Sequence, residues 1–349
     1  MKILHAADLH LDTAFTGHCD ADSQYLKKAL ASLPETIAGL CRQHGCDLLL
    51  LSGDLFDGPA SRESIDSVKS ALAQLGIPTF ITPGNHDFCH ADSPYLKEVW
   101  PENVHIFTKP VVESVALPDL DCRIYGAGYI GMDCDPLLEN FRADGPETWQ
   151  IGILHGDPVQ RNTPYCAISQ AQVAGSGLDY LALGHIHKAG QFTAGGTLCA
   201  WPGCPMGRGN DETGEKGVYL VNLDNQVSLT FIPLDTPRFY DLEAEVQTTA
   251  EDALLALLPP AGSEDFYRIT LTGECAPFGA ISLPQYPHLE IRDRTTAPVD
   301  LWSCVGEDSL EGVYFKLLQE ALASGEEETV LLAAKISRRI LDGREVVLP

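Results

Sequence analysis

Pro83-Gly84-Asn85-His86-Asp87 sets an amide, an imidazole and a carboxylate side by side directly after the apolar run Ile77-Pro78-Thr79-Phe80-Ile81. The same design recurs along the chain. Asp8 and His10 follow Lys2 to Ala7, Gly53-Asp54 follows Asp47 to Ser52, His155 follows Trp149 to Leu154, and Gly184-His185-Ile186-His187 follows Asp179 to Leu183. Imidazole and carboxylate together suit borderline divalent ions such as Mn²⁺, Fe²⁺ or Zn²⁺, whereas an all-oxygen set would point to Mg²⁺ or Ca²⁺. Asp8, His10, Asp54, Asn85, His155, His185 and His187 exceed what one ion takes, so two ions sharing a carboxylate are expected. That is the arrangement of a two-metal hydrolase, with ions ~3.5–4 Å apart. His86 differs from its neighbour: adjacent residues on an extended tip point in opposite directions, so Asn85 and His86 are expected as one ligand and one non-ligand.

These tips need strands to carry them. Lys2 to Ala7 reads as a buried first strand, and Asp8 and His10 fall on one side because strand side chains alternate. Asp47 to Ser52 is a continuous apolar run, as in a strand covered on both faces. Between them, Ser23 to His44 has helical spacing at Leu26, Leu30, Leu33, Ile37 and Leu40, with Pro34 expected to break or kink it and Gly45 to end it. A helix over Arg62 to Leu75, closed by Gly76, returns the chain to the strand before Asn85. The βαβ rhythm predicts an α/β fold, in which ligands collect beyond the carboxyl ends of strands.

From Val104 to Gly128 the pattern turns β-rich, with strands predicted over Val111 to Ala116 and Arg123 to Gly126 and a turn at Pro118-Asp119. A second sheet is expected here, completed by Trp149 to Leu154, Asp179 to Leu183, Thr197 to Ala200 and Gly217 to Asn222. Pro233-Leu234-Asp235-Thr236-Pro237 interrupts the pattern and marks the domain boundary. Residues 1–236 form the predicted larger domain and 237–349 a small α/β module, with strands over Phe239 to Val246 and Phe266 to Leu271 around a helix from Glu251 to Leu258. A last helix, Glu326 to Leu341, places glutamates in its first turn and Arg338-Arg339 in its last, complementing the helix dipole; Val330, Leu331, Ala334 and Ile340 could pack on a partner, and the favoured reading is a helix covering its own domain.

The 349 residues fit two domains of ordinary size, and an apolar content of 44% fits a globular protein. No run approaches the ~18 apolar residues of a membrane helix, and the first residues are too short and polar for a signal peptide, so a cytoplasmic protein without a membrane partner is expected. The 11 cysteines are read as reduced thiols. Cys199 and Cys204 near the histidine pair fit no zinc spacing and are read as buried thiols. A formal charge of −26, from 23 basic and 49 acidic residues, disfavours a general positive field for nucleic acid. A local groove with metal ions, Lys188, Arg161 or Arg208 could still hold a phosphate backbone. His5 is expected to be a packed neighbour in the first strand; His90 is a candidate substrate contact.

The runs His5-Ala6-Ala7-Asp8-Leu9-His10-Leu11-Asp12, Gly53-Asp54-Leu55-Phe56-Asp57, Gly84-Asn85-His86-Asp87, Gly184-His185-Ile186-His187-Lys188 and Pro202-Gly203-Cys204-Pro205 resemble the calcineurin-like metallophosphoesterase superfamily, and within it the SbcD/YhaO-type DNA-repair nucleases. The resemblance implies a four-layer αββα sandwich with a small C-terminal α/β capping domain. It implies one ion on Asp8, His10, Asp54 and His187 and another on Asp54, Asn85, His155 and His185, with Asp54 as the bridge and Mn²⁺ as the expected metal. A hydroxide between the ions would attack phosphorus, with His86 assisting at the phosphate or the leaving oxygen. Asp87 is expected to support catalysis by orienting an imidazole or backbone. Asp57 departs from members that carry a histidine there. The implied partners are DNA, an SbcC-like coiled-coil ATPase and a second copy of the chain in a homodimer. The implied activity is a metal-dependent DNA exonuclease, with endonuclease action also open, in repair or recombination. The rival readings are a phosphodiesterase for small nucleotides and a non-catalytic scaffold that keeps the fold.

Overall fold

A computed structural model describes residues 1–322 and 327–343. The chain starts on β1 (Lys2–Ala6), crosses α1 (Asp20–Ala31) and α2 (Leu33–His44) to β2 (Leu48–Ser52), and crosses α3 (Arg62–Leu75) to β3 (Thr79–Thr82). A one-turn helix, α4 (Pro94–Lys97), precedes β4 (Val104–Ile106). The helical stretch before β2 is two helices that part at Ser32, and Pro34 sits in the first turn of the second, where its missing N–H costs nothing. Gly45 ends α2 at φ 61°, a left-handed conformation that favours glycine. Helix α3 starts where the Ser61 hydroxyl accepts the Ser64 N–H and stops at Gly76.

Then follow β5 (Glu113–Leu117), β6 (Cys122–Gly126), β7 (Trp149–His155), α5 (Gln170–Gly175), β8 (Tyr180–Gly184), β9 (Lys188–Ala194) and β10 (Thr197–Gly203), and finally β11 (Gly217–Leu223) and β12 (Val227–Pro233). They make two six-stranded sheets, β12-β11-β1-β2-β3-β4 and β5-β6-β7-β8-β10-β9. Strands β1 to β3 run parallel, with Ile3 opposite Leu48 and Leu50 opposite Phe80, and β7 and β8 are parallel in the other sheet. One expectation is corrected here. Gly217 to Asn222 does not complete the second sheet; β11 crosses back to pair antiparallel with β1, Lys2 opposite Asn222. Both sheets offer an apolar strand slot, and the connection decides which one is filled.

Period-two alternation sorts the core. Ile3, Leu48, Leu50 and Phe80 meet Ile124, Ile151, Ile153 and Tyr180 between the sheets. Their neighbours Leu4, Leu49, Leu51 and Ile81 face Leu26, Leu30, Ile37, Val68 and Leu72 of α1 to α3. Each such burial contributes roughly 1.5–3 kcal/mol. On the far side of the second sheet, Tyr125, Leu154, Leu181 and Leu183 are covered by Tyr129, Leu138, Cys166, Ile168 and Val173. The layered α/β sandwich is therefore present. Its fourth layer contains the six-residue α5 and is otherwise irregular chain, because Pro136, Pro146, Pro158 and Pro164 interrupt any helical period there.

Beyond β12 lie β13 (Phe239–Glu245), α6 (Ala250–Leu257), β14 (Phe266–Thr272), β15 (Leu289–Asp293), α7 (Leu310–Leu322) and α8 (Glu327–Leu341), with sheet order β13-β14-β15. The chain divides into two compact units. One is Met1–Asp241 with Ser263–Arg268 and Tyr286–Glu290; the other takes Leu242–Gly262, Ile269–Gln285 and the chain from Ile291. In the second unit Leu301, Cys304, Phe315 and Ala334 form a small core, and Arg338 pairs with Glu311. Glu326, the expected start of the last helix, lies outside the described residues. All 11 cysteines are free thiols, and no helix among the described residues is long and apolar enough to cross a membrane.

Candidate metal centre

The carboxyl ends of β1, β2 and β3 in one sheet and of β7 and β8 in the other bring the expected side chains together. Backbone bonds continue the strand pairing past the ends: Asp8 N–H donates to Gly53 O, His10 N–H to Asp54 O and Leu11 N–H to Leu55 O. The chain then bends sharply. Asp8, His10, Asp54 and His185 all have positive φ, at 54°, 47°, 50° and 103°. Aspartate and histidine tolerate that region better than most residues, and such strain clusters where structure elsewhere over-determines it. Glycine is required beside these bends. A Cβ on Gly84 would lie 2.1 Å from Asp54 Oδ1, and one on Gly184 would lie 1.8 Å from Ser52 O.

Asp8, His10, Asp54 and His155 are essentially buried. Nε2 of His10 and Nε2 of His187 face each other at 3.1 Å. His155 Nε2 lies 3.0 Å from Asn85 Oδ1 and 3.4 Å from Asp54 Oδ2, and His185 Nδ1 lies 3.3 Å from the same Asn85 oxygen. Ligand atoms of Asp8, His10 and His187 fall within 4.8 Å of one another, as do those of Asp8, Asp54 and His155 and those of His10, Asp54 and His86. Asp54 thus belongs to groups on both sides. Nitrogen and oxygen lone pairs converging in so dry a place fit a divalent cation. The Nδ1 atom of His10 is buried without a hydrogen-bond partner.

Burial pushes the pKa of His10 down, and burial with the neighbouring His155 takes His185 to about 4, so both imidazoles are neutral, the ligating form. His86 is shifted the other way. Its Nδ1 meets Asp57 Oδ1 at 2.9 Å, and that bond raises its pKa; His10, whose Nδ1 stands 3.7 Å from the same oxygen, and then His86 hold Asp57 well below the ordinary carboxylate range. The His86 side chain is 42% exposed, so a substrate can reach it.

Asp87 is buried and bonds to backbone rather than to an imidazole: it accepts from Leu55 N–H at 2.7 Å, Gly84 N–H at 2.8 Å and the Tyr95 hydroxyl at 2.5 Å. It ties the Gly53-Asp54 bend to the Asn85 bend. His5 is a packed neighbour, its ring nitrogens 2.7 Å from the Tyr180 hydroxyl and 2.5 Å from that of Ser52. His90 is exposed beside a cavity of about 450 Å³ that His86 and Phe88 also line. Lys188 and Arg161 are exposed, whereas Arg208 is held against Glu212. The sequence did not point to Asp57 as a partner of His86, nor to Glu212 at all; for Asp57 the signals were its place soon after Asp54 and its departure from members with a histidine there.

A family model described as calcineurin-like phosphoesterase matches residues 1–189. The chain belongs to the calcineurin-like phosphoesterase family. It is a metallophosphoesterase by family and carries a candidate divalent-metal centre. This phosphoesterase is 35% identical over 247 residues to "Uncharacterized metallophosphoesterase YhaO" of Bacillus subtilis, covering 64% of this chain and 58% of that one. It is 24% identical over 268 residues to a subunit of the SbcCD nuclease of the same organism, covering 64% and 66%. The match spans less than two thirds of each of these relatives. A dimetal phosphatase from Danio rerio aligns with a TM-score of 0.44 and 13% identity over 66% of this chain and 95% of that one.

Proposed function

We propose that this phosphoesterase is a two-metal phosphodiesterase that cuts DNA in repair or recombination. The observation that carries the reading is the pair of ligand groups, His10 with His187 and His155 with Asn85, each within reach of Asp54. Asp8, His10, Asp54 and His187 would hold one ion and Asp54, Asn85, His155 and His185 the other, with Mn²⁺ as the expected metal. Bound there, the ions supply Lewis-acid polarisation of phosphoryl oxygens and a water of lowered pKa.

The chain's own groups do the rest. Asp57 fixes the His86 ring through Nδ1, which leaves Nε2 to give a proton to the departing oxygen. Asp87 keeps the two bends that carry Asp54 and Asn85 at a fixed separation. Those bonds hold both bends in the free chain, so the site is built before substrate arrives and no folding cost falls on binding.

The choice of DNA is supported by the likeness to the SbcCD nuclease and by the motif runs around Asp8, Asp54, Asn85 and His187. The charge of −26 suits a chain that leaves DNA holding to a partner, for which an SbcC-like coiled-coil ATPase is the proposed occupant. Turnover with Mn²⁺ on linear duplex DNA, set beside cyclic and linear dinucleotides, tests the reading. Cleavage of the duplex is expected; activity confined to the small substrates contradicts it.

A further inference from the structure

Glu212 is 8% exposed, and both of its carboxylate oxygens are taken up by hydrogen bonds. Its Oε2 accepts the Arg208 backbone N–H at 2.8 Å and Arg208 Nε at 3.3 Å; its Oε1 accepts Arg208 Nη2 at 2.8 Å and His187 Nδ1 at 2.6 Å. A buried carboxylate needs such partners to offset lost hydration. Lys216 Nζ and Cys204 N–H both donate to His187 O, each at 3.3 Å, so the segment from Cys204 to Lys216 grips that histidine from ring and backbone together.

His187 Nδ1 also lies 3.0 Å from Arg208 Nη2. Both cannot be bonds at once, because Nδ1 either donates to Glu212 or accepts from Arg208. The shorter contact to a charged acceptor decides for Glu212. That choice puts the proton on Nδ1 and leaves Nε2, the atom facing His10, with its lone pair free.

A guanidinium has five N–H donors in a planar fork. Nε and Nη2 of Arg208 are spent on Glu212, while Nη1 makes no hydrogen bond to a described residue. The side chain is 18% exposed; it sits against the ring of His187, feels the carboxylate of Asp57, and its charge reaches His10 and His86. A phosphate diester entering that acidic surrounding needs a cation that is already aimed, and the remaining edge of an arginine fork matches two phosphoryl oxygens.

Resting on the phosphoester reading above, we infer that Arg208 and Glu212 are a built-in anchor for the substrate's phosphate. Arg208 touches the phosphoryl oxygens, and Glu212 is the positioning residue that aims both Arg208 and His187. The specificity follows from geometry: the anchor fixes the phosphate and reads no base, so it serves any phosphodiester the site admits.

The test is calorimetric titration of Mn²⁺, and then of inorganic phosphate, into the full chain and its Arg208→Ala, Arg208→Lys and Glu212→Gln variants. Arg208→Ala should weaken phosphate at least tenfold while Mn²⁺ affinity moves less than threefold. Arg208→Lys should recover only part, since one ammonium cannot keep the clamp and reach the phosphate. Glu212→Gln should weaken Mn²⁺ at one of two binding steps by about 10–100-fold and phosphate with it. Phosphate affinity within twofold in Arg208→Ala, unchanged Mn²⁺ binding in Glu212→Gln, or a Mn²⁺-loaded wild type that ignores phosphate each overturn the inference. DNA cleavage is not the readout, so a chain that cuts only small diesters would defeat the DNA reading and leave this result standing.

Discussion

His155 and His187 both come off the second sheet toward the same centre, yet they are held by different kinds of partner. His155 is fully buried, and its Nδ1 donates to the backbone carbonyl of Ser52, 3.1 Å away at the end of β2. His187 is partly exposed and is held through side chains, Glu212 with Arg208 behind it. One imidazole is set by the meeting of two sheets and has no holder that a substitution can delete. The other is set by an irregular segment whose side chains can be exchanged. The first half of the centre should therefore fail only with the fold, and the second should be tunable without it.

The largest expected effect breaks the first half. In Gly184→Ala the new Cβ meets the Ser52 carbonyl at 1.8 Å and His155 Nδ1 at 3.0 Å, so the sheets must part where they are joined. A loss of about 3 kcal/mol or more is expected from overpacking against backbone, seen as a lowered thermal midpoint together with lost metal binding. A Gly184→Ala chain of normal stability would show that the His155 side is not fixed by the fold.

Next comes His86, which is held by a side chain as His187 is. His86→Ala should lower turnover about 10²–10⁴-fold with Mn²⁺ affinity kept, because its Nδ1 is committed to Asp57. Parallel loss of metal would move His86 into the ligand set. Asp57→Asn keeps an oxygen for Nδ1 but removes the charge, so a smaller fall, about tenfold, is expected in turnover alone.

The smallest effect sharpens the contrast. Ser52→Ala removes the hydroxyl bonded to His5 but leaves the carbonyl that holds His155. It should cost about 0.5–1.5 kcal/mol of stability in denaturant unfolding and disturb Mn²⁺ binding less than Glu212→Gln does. A larger disturbance than in Glu212→Gln would erase the distinction between backbone-held and side-chain-held histidines.

The same contrast explains what could be read from sequence. Asp8, Asp54, Asn85, His155 and His185 were legible because each follows an apolar run whose length makes it a strand, and parallel strands deliver their ends to one edge. That a side chain at Gly53 or Gly84 would be blocked is visible only in three dimensions. Glu212 and Arg208 lie in Met206-Gly207-Arg208-Gly209-Asn210-Asp211-Glu212, which has no period of two or 3.6 to place it, so its nearness to His187 exists only in three dimensions. The destination of β11 was hidden for a related reason: Gly217 to Leu223 is apolar enough for either sheet, and the connection rather than the strand decides. The irregular fourth layer was not foreseen: the resemblance implied helices, and the prolines that break any helical period between β6 and β8 were not read as such.

The most direct measurement is the number of Mn²⁺ ions bound per chain, by equilibrium dialysis with elemental analysis, in the wild type and in Asp54→Asn. Asp54 Oδ2 stands 3.7 Å from His10 Nε2 and 3.4 Å from His155 Nε2, within reach of both groups. Two ions in the wild type and loss of both in the variant are predicted. One ion in the wild type, or two retained in Asp54→Asn, would contradict a centre built on that shared carboxylate.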